Sequence, residues 1–344
     1  MNKLIKQFLR FSYTLSKISL IGFVKNYNSK SKVVLLIPRH WLKPAIEPFI
    51  WEVSMISYFI QNKISFRISF SLNPNAYNND ILFWCPGPHF FNNNCDYSSK
   101  LVNFAKSVEN QDNQINPSSF QVSFLENKTF MYKQFMNKKI IHPKTKLFEK
   151  NKFDKMIPFD FPFLFKGEHS NSGKEVILIA NNDDWSIFLE SKLFNISNNL
   201  IFQKLINMRS DIRVVVVDDQ VVNHYWRKNP FDEWRPTSTN FGSYLDFSDL
   251  PKNVIDASIL NLKKLGLNIG AYDITFENDD INSNPIFLEV SPLFSLNPMV
   301  KGIKIDDYSN FKKKLFGKNV FWKHQVDQIF IISSKYLNLY KLTN

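Results

Sequence analysis

The stretch from 271 to 291, AYDITFENDDINSNPIFLEVS, places two acidic residues beside two apolar runs. Asp273 lies in the first run, and Glu289 follows sixteen residues later near the end of IFLEV. The polar insert between the runs predicts a hairpin, which would bring both carboxylates side by side on paired strands. Two acids facing one space repel each other unless a cation lies between them, and oxygen ligands of this kind suit Mg²⁺. The alternative is a pair of solvated acids at strand ends.

Four basic residues lie upstream of this pair, each at the edge of a predicted strand or helix. Lys128 precedes a helical stretch, and Lys166 ends the apolar segment FPFLF. Arg213 and Arg227 lie at the head and the tail of a predicted hairpin, DIRVVVVDDQVVNHYWR. Such cations could neutralise the charge of phosphate groups. The plainer interpretation is that the lysines are solvated, and Lys133 competes for the role of Lys128.

In chain order these residues form the series Lys, Lys, Asp-Ile-Arg, Arg, Asp and Glu-Val-Ser-Pro. That order resembles the ATP-grasp superfamily, in particular its glutamate-adding branch of ribosomal-protein-modifying carboxylate–amine ligases. The resemblance covers residues 125–300. It implies an enzyme that activates a carboxylate as an acylphosphate and joins it to an amine or a thiol, with ATP and Mg²⁺ (or Mn²⁺) as cofactors. A degenerate ATP-grasp protein that binds nucleotide or a partner without ligase turnover is the alternative.

The same resemblance implies roles for individual residues. It implies catalytic roles for Arg213 and Arg227. Their alternative is a pair of structural ion pairs with Asp211 or Asp232. The residues implied to hold the nucleotide are Lys128, Lys166, Gly173, Gln203 and Leu205. The residues implied to hold the metal are Asp273, Glu289 and Ser291. No motif identifies the carboxylate and amine substrates.

The chain departs from the family pattern at three places. Ser291 stands where the family has Asn, and a hydroxyl is a weaker ligand of Mg²⁺ than an amide carbonyl. Lys204 replaces the acid that usually follows Gln203, which puts recognition of the ribose in question. The phosphate loop HSNSGKEV retains one glycine, Gly173, so side chains such as His169 would have to donate in place of backbone N–H groups.

The composition excludes several classes of protein. The chain has 344 residues, of which 44% are hydrophobic, so it can bury a sizeable core and is not globally disordered. It has no HExxH, GxSxG, Walker A or GxGxxG motif, so metalloprotease, serine hydrolase, P-loop and dinucleotide-binding interpretations lack support. Cys85 and Cys95 fit no zinc or disulfide pattern, so a reducing, cytoplasmic location is expected.

The net charge of +12 is concentrated at the N-terminus. Residues 1–32 hold seven basic residues and no acid, which argues against a nucleic-acid partner for the rest of the chain. Residues 3–18 predict a basic amphipathic helix whose apolar side carries Leu4, Phe8, Phe11, Leu15 and Ile18. This helix could place residues 1–25 on an anionic membrane surface, or it could dock its apolar side on the protein and leave its lysines outside.

The order of predicted elements favours an α/β (α+β) fold class. KVVLLIP predicts a buried strand, and further strands and helical stretches alternate up to residue 108. We therefore expect a small N-terminal α/β domain. The resemblance implies that this domain is of the pre-ATP-grasp type and that a two-lobed ATP-grasp fold with antiparallel sheets follows it. The predicted domains are 1–30 (basic arm), 31–120 (pre-ATP-grasp-like domain), 121–205 (first lobe), 206–302 (second lobe, with the metal site) and 303–344 (helical extension).

Overall fold

The structure is a computed structural model, and it describes residues 3–37, 46–87, 90, 97–169, 175–231, 233–238, 241–297, 304–305 and 320–342. The chain divides into two compact units. The first unit comprises Met1–Leu125, Leu293–Pro298 and Lys312–Asn344. The second unit comprises Glu126–Pro292 and Met299–Phe311.

A four-stranded parallel sheet organises the first unit. Its strands are β1 (Val33–Leu36), β2 (Arg67–Ser69), β3 (Ile81–Trp84) and β4 (Gln114–Asn116). They lie in the order β2–β1–β3–β4. All four residues of β1 are buried, as is typical of a parallel strand covered on both faces. The predicted N-terminal α/β layer is therefore confirmed.

Six α-helices lie in the described residues of the first unit. They are α1 (Lys3–Leu15), α2 (Leu20–Asn26), α3 (Ile46–Gln61), α4 (Tyr97–Glu109), α5 (Ser119–Val122) and the last helix of the chain, α10 (Val320–Asn338). α10 packs against α3 and α1 and buries Val326, Ile329 and Leu337. No helix in the described ranges combines the length and the apolar character that crossing a membrane would need.

The polar side of α1 faces α10. Tyr13 donates its hydroxyl proton to Asp327 at 3.0 Å, and the ammonium of Lys17 lies 2.7 Å from the same carboxylate. Arg10 donates to the side-chain carbonyl of Gln325. The hydrogen bond with Asp327 raises the pKa of Lys17. Arg10 and Tyr13 of α1, together with Lys17 just after the helix, thus hold it on α10.

The apolar side of α1 is covered in part. The ring of Phe11 stacks on Phe49 of α3 with centroids 4.4 Å apart. Phe8 and Leu15 remain exposed to solvent. α1 is therefore docked on the first unit through Phe11 together with Arg10 and Tyr13, while Phe8 and Leu15 stay exposed, and membrane contact of this helix stays a prediction.

The second unit contains two antiparallel sheets. The smaller one has the order β5–β8–β6–β7, with strands β5 (Thr145–Glu149), β6 (Phe163–Lys166), β7 (Val176–Ile179) and β8 (Asn199–Lys204). Its helices are α6 (Lys128–Asn137), α7 (Asn182–Glu190) and α8 (Lys192–Ile196). The pairing β5–β8, β8–β6 and β6–β7 is antiparallel throughout.

The larger sheet of the second unit has six strands. They are β9 (Ser210–Val217), β10 (Gln220–Lys228), β11 (Tyr244–Asp246), β12 (Ile269–Thr275), β13 (Ile286–Ser291) and β14 (Lys304–Ile305). Their order is β13–β12–β9–β10–β11–β14, and α9 (Lys252–Lys264) contacts β9, β10 and β12. Two antiparallel sheets in this unit confirm the predicted fold class.

An aromatic cluster stabilises the smaller sheet. Phe202 of β8 is fully buried, and its ring lies 5.6 to 6.1 Å from six other aromatic rings, which are those of Phe148, Phe153, Phe163, Phe165, Trp185 and Phe188. The cluster joins three strands of the sheet to α7. Six of the 34 phenylalanines of the chain therefore serve as the core of this sheet.

Replacing the central ring of this cluster should destabilise the second unit strongly. We expect Phe202→Ala to lower the free energy of unfolding by about 3–5 kcal/mol, because it leaves a cavity that several rings line. Chemical denaturation measures the change, and Ile196→Ala at an exposed position of α8 is the matched control with an effect near zero. A loss below about 1 kcal/mol in Phe202→Ala would show that the cluster does not hold the sheet together.

Candidate functional site

A row of polar side chains crosses four neighbouring strands of the larger sheet. Tyr225 of β10 pairs in register with Arg213 of β9, Arg213 pairs with Asp273 of β12, and Asp273 pairs with Glu289 of β13. Directly opposed residues in an antiparallel sheet have Cβ atoms about 5 Å apart and project from the same face. The predicted hairpin that brings the two carboxylates together is therefore confirmed.

The carboxylate of Asp273 is shared by two arginines. Its Oδ1 atom lies 2.6 Å from Nε of Arg213 and 2.9 Å from Nη2 of Arg227. Arg227 also makes a two-pronged contact with Asp211, in which Nε donates to Oδ1 at 2.8 Å and Nη2 donates to Oδ2. The structural ion pair between Arg227 and Asp211 is thus present together with the contact to Asp273.

These four side chains form a balanced, buried charge network. Burial alone would raise the pKa of Asp273, but the charges of Arg213 and Arg227 outweigh it and hold the pKa below its ordinary value. Burial raises the pKa of Asp211 against the opposing charge of Arg227. We treat Asp211 as ionised at neutral pH, because a two-pronged contact with a guanidinium requires both carboxylate oxygens as acceptors.

Lys128 reaches the same row from helix α6. The helix begins at Lys128, and Asn127 caps it by accepting a hydrogen bond from a backbone N–H of the first turn. The Lys128 side chain is only 6% exposed, and its Nζ lies 4.0 Å from Oε1 of Glu289, whose side chain is 40% exposed. Lys133, the competing lysine, is exposed on the same helix. Burial against an acid favours Lys128 over Lys133 as a functional group.

Lys166 is connected to this row through a residue that no sequence motif indicated. Its ammonium donates to the hydroxyl oxygen of Tyr132 at 3.2 Å, and Tyr132 donates its proton to the backbone carbonyl of Leu288 at 2.9 Å. Tyr132 is completely buried. The one available signal was its spacing, because Tyr132 lies four residues after Lys128 and therefore on the same helix face.

The remaining residues expected to bind nucleotide are placed as follows. Gln203 is buried, and its amide donates to the hydroxyl of Thr145 at 2.9 Å, so its side chain links β8 to β5. Leu205 follows β8 and is partly exposed. Gly173 lies outside the described residues. The nucleotide roles of Gln203, Leu205 and Gly173 stay predictions.

Asp211 has a further partner in the segment after β10. The hydroxyl of Thr237 hydrogen-bonds to the Asp211 carboxyl, and both residues are buried. The Asp211 carboxylate therefore holds both Arg227, a catalytic candidate, and Thr237 in the segment between β10 and β11. Asp232, the other ion-pair partner considered from sequence, lies outside the described residues.

The donor atoms fit a hard divalent cation better than a transition metal. Asp273 and Glu289 offer carboxylate oxygens from adjacent strands, and Ser291 lies two residues beyond Glu289 on β13. The Glu289 side chain is more exposed than that of Asp273, which is already contacted by two arginines. Within the described ranges no group of three or more His, Cys, Asp or Glu residues could hold a metal ion. Oxygen ligands without a His or Cys cluster suit Mg²⁺.

Comparison with known proteins is consistent with this geometry. A model of the RimK-like ATP-grasp domain matches residues 126–315, which is more than half of the chain. The solved structure of a D-alanine–D-alanine ligase from Bacillus anthracis matches with a TM-score of 0.55 and 14% identity, over 90% of this chain and 98% of that one. A RimK-domain ATP-grasp protein from Sphaerobacter thermophilus matches with a TM-score of 0.52 and 13% identity, over 87% and 99%. At these identities the likeness shows the fold. No curated protein sequence matches.

The network around Asp211 generates a stability prediction. We expect Asp211→Asn to lower the free energy of unfolding by about 3 kcal/mol, because the substitution leaves Arg227 with one carboxylate where it had two. Thermal or denaturant unfolding measures the loss, and Asp219→Asn in the exposed turn between β9 and β10 is the control that should leave stability unchanged. Equal stability of both variants would mean that Asp211 is not needed to balance the buried charge.

Proposed function

The chain belongs to the RimK-like ATP-grasp family, and we propose that it is an ATP-dependent ligase that joins a carboxylate to an amine. ATP-grasp ligases form amide-type bonds. The observation that carries the proposal is the convergence of two buried or half-buried lysines, two arginines and two acids on one part of the second unit. Burying charged side chains such as Lys128 and Arg213 costs free energy, and lysines and arginines that serve only solubility stay exposed.

The reaction requires two displacements. The substrate carboxylate attacks the γ-phosphorus of ATP, the bond to the bridging oxygen breaks, and ADP leaves. The amine then attacks the carbonyl carbon of the acylphosphate, inorganic phosphate leaves and the nitrogen loses a proton. Neither displacement needs a nucleophile from the protein, so the site must hold the reactants in line, stabilise negative charge and exclude water.

The residues divide this work by their exposure and contacts. Lys166 and Lys128 are the residues to which we assign phosphate binding, a role supported by the contact of Lys128 with Glu289 and of Lys166 with Tyr132. Among the described residues Arg213 forms an ion pair with Asp273, whereas Arg227 has two such partners, so we expect Arg213 to be the arginine that turns to the transferring group. Arg227 is fixed by Asp211 and Asp273 together, which assigns it the role of positioning Asp273 and supporting Arg213.

A divalent cation would be held by Glu289 and Asp273, with Ser291 as a weaker third ligand. When bound, it would neutralise phosphate charge and draw the polyphosphate toward β12 and β13. Arg213 and Arg227 would then share the Asp273 carboxylate with the cation, and Arg213 would be able to turn to the substrate. This exchange of partners follows from the shared carboxylate.

A second candidate function is nucleotide binding without turnover. The specific observation in its favour is that Asp273 is already neutralised by two arginines, while Ser291 occupies the position of a better metal ligand. A weakly bound metal would leave the phosphates held but not activated.

A screen for ATP-dependent release of phosphate separates the two functions. The purified chain is incubated with Mg–ATP and with paired libraries of carboxylates and amines, and mass spectrometry detects any condensed product. A product that forms with stoichiometric ADP and phosphate supports the ligase. ATP binding that never yields ADP with any pair would support the binding function in its place.

Removing the Lys166 ammonium should abolish measurable nucleotide binding. We expect Lys166→Ala to weaken ATP binding by about 2–5 kcal/mol, because a phosphate-pairing charge is lost from a half-buried position. Calorimetric titration with Mg–ATP gives the dissociation constant. Lys133→Ala, at an exposed position of α6, is the control expected to bind ATP normally. Unchanged affinity in folded Lys166→Ala would remove the central part of the proposal.

The metal residues generate a prediction that distinguishes binding from catalysis. Glu289→Gln keeps the shape of the side chain and should retain the fold but lose turnover, whereas Ser291→Asn should lower the Mg²⁺ concentration at half-maximal activity, because an amide carbonyl is the better ligand. Activity as a function of Mg²⁺ measures both, with Glu190→Gln at the exposed end of α7 as the charge-matched control. Full turnover in Glu289→Gln would exclude Glu289 as a metal ligand.

A further inference from the structure

The N-terminal helices expose an unusual concentration of large apolar side chains. Among the described residues, nineteen large apolar side chains are exposed, and six of these lie between Phe8 and Tyr27. Three belong to α2: Leu20, Ile21 and Val24 are 80%, 72% and 76% exposed. Scattered exposed apolar residues are normal, but a concentrated set marks a contact with another protein or with a membrane.

The two sides of α2 differ sharply. Gly22 faces α3 so closely that a Cβ atom there would lie 2.4 Å from Cγ2 of Ile60, and Phe23 meets the ring of Phe66 at 5.5 Å. Successive residues of an α-helix are turned by about 100°, so Leu20, Ile21 and Val24 fall on the opposite side. α2 is therefore fixed to the first unit by one side and presents an aliphatic side to its surroundings.

α1, the helix that precedes α2, also leaves apolar side chains exposed. Arg10 and Tyr13 hold it on α10, and Phe11 stacks on Phe49, so that only part of its apolar side is covered. Phe8 and Leu15 are left exposed as a result. We call the five residues Phe8, Leu15, Leu20, Ile21 and Val24 the N-terminal apolar surface.

The sequence that carries this surface is basic, and the acid Asp327 of α10 beside it is paired with Lys17. Residues 1–32 contain seven basic residues and no acid. Arg10 and Lys17 are engaged with α10, but Lys25 and Lys30 are exposed. Lys25 directly follows Val24, so a cation lies at the edge of the aliphatic side of α2. Aliphatic side chains bordered by lysines match the interface of an anionic bilayer, which offers acyl chains beneath negatively charged head groups.

We propose that α1 and α2 form a docking surface for an anionic lipid bilayer, with Leu20, Ile21 and Val24 entering the interfacial region and Lys25 and Lys30 contacting the head groups. The surface requires no unfolding of α1, because the helix stays on α10 while its apolar side meets the lipid. Binding is reversible and weakens with salt, because the buried apolar area is small and the charges are screened. The proposal is independent of the ligase function.

Sedimentation of the full-length chain with vesicles tests the proposal. One set of vesicles is phosphatidylcholine alone and the other contains equal parts of phosphatidylcholine and phosphatidylglycerol. We expect binding to the anionic vesicles at low salt, little binding to the neutral ones, and a fall as salt rises. The triple variant Leu20→Ser/Ile21→Ser/Val24→Ser should bind at least about tenfold more weakly. The double variant Lys25→Glu/Lys30→Glu should lose about tenfold for anionic vesicles.

The matched control is Ile187→Ser/Ile196→Ser, which removes two similarly exposed isoleucines from α7 and α8 of the second unit. It should bind vesicles as the wild type does, and all variants should keep the wild-type melting temperature because the altered side chains are exposed. Wild-type protein that ignores anionic vesicles at low salt would overturn the proposal. So would a triple variant that binds as well as the wild type. If the wild type is instead a dimer that the triple variant converts to a monomer without any vesicle binding, the surface is an interface between two copies, and the lipid proposal is wrong.

Discussion

The Asp273 carboxylate, shared by the guanidinium groups of Arg213 and Arg227, is the contact on which the candidate site depends. Removing one partner from a buried ion pair is strongly destabilising, because it leaves a charge without compensation. The network is neutral only when Asp211 is counted with Asp273 against the two arginines. The three strands that carry these residues, β9, β10 and β12, must therefore keep their register, because a shift by one residue would turn each of these side chains to the other face of the sheet.

Helix α6 connects this network to the smaller sheet of the second unit. Lys128 lies near Glu289, Tyr132 links Lys166 to the carbonyl of Leu288, and the sulfur of Met131 accepts the N–H of Val290 at 3.3 Å. Three consecutive residues of β13 thus contact one helix. Helix α6 thus links its own Lys128, and Lys166 of β6, to the strand that carries Glu289.

The N-terminal helices show how charge can decide the orientation of an amphipathic element. A helix normally buries its apolar side, since that gain exceeds the value of exposed ion pairs. Here Asp327 of α10 contacts Tyr13 and Lys17, and Gln325 of α10 accepts a hydrogen bond from Arg10. Phe8 and Leu15 of the apolar side then remain exposed and available to another surface. That division of roles is consistent with a helix that is held to the protein and meets a surface at the same time.

The sequence alone determined the fold class, the strands that carry the site and the opposition of Asp273 and Glu289. All three follow from local patterns: the order of apolar runs, and the turn-forming insert that pairs two of them. The sequence could not determine that two arginines share Asp273, or that Tyr132 joins Lys166 to β13. Nor could it determine that the Gln203 side chain hydrogen-bonds to β5, or which side of α1 meets α10. These depend on contacts between residues far apart in the chain, and periodicity reports which residues share a face without reporting what lies opposite it. Only the tertiary structure brings the partners together, and only there do burial and charge decide which contacts form.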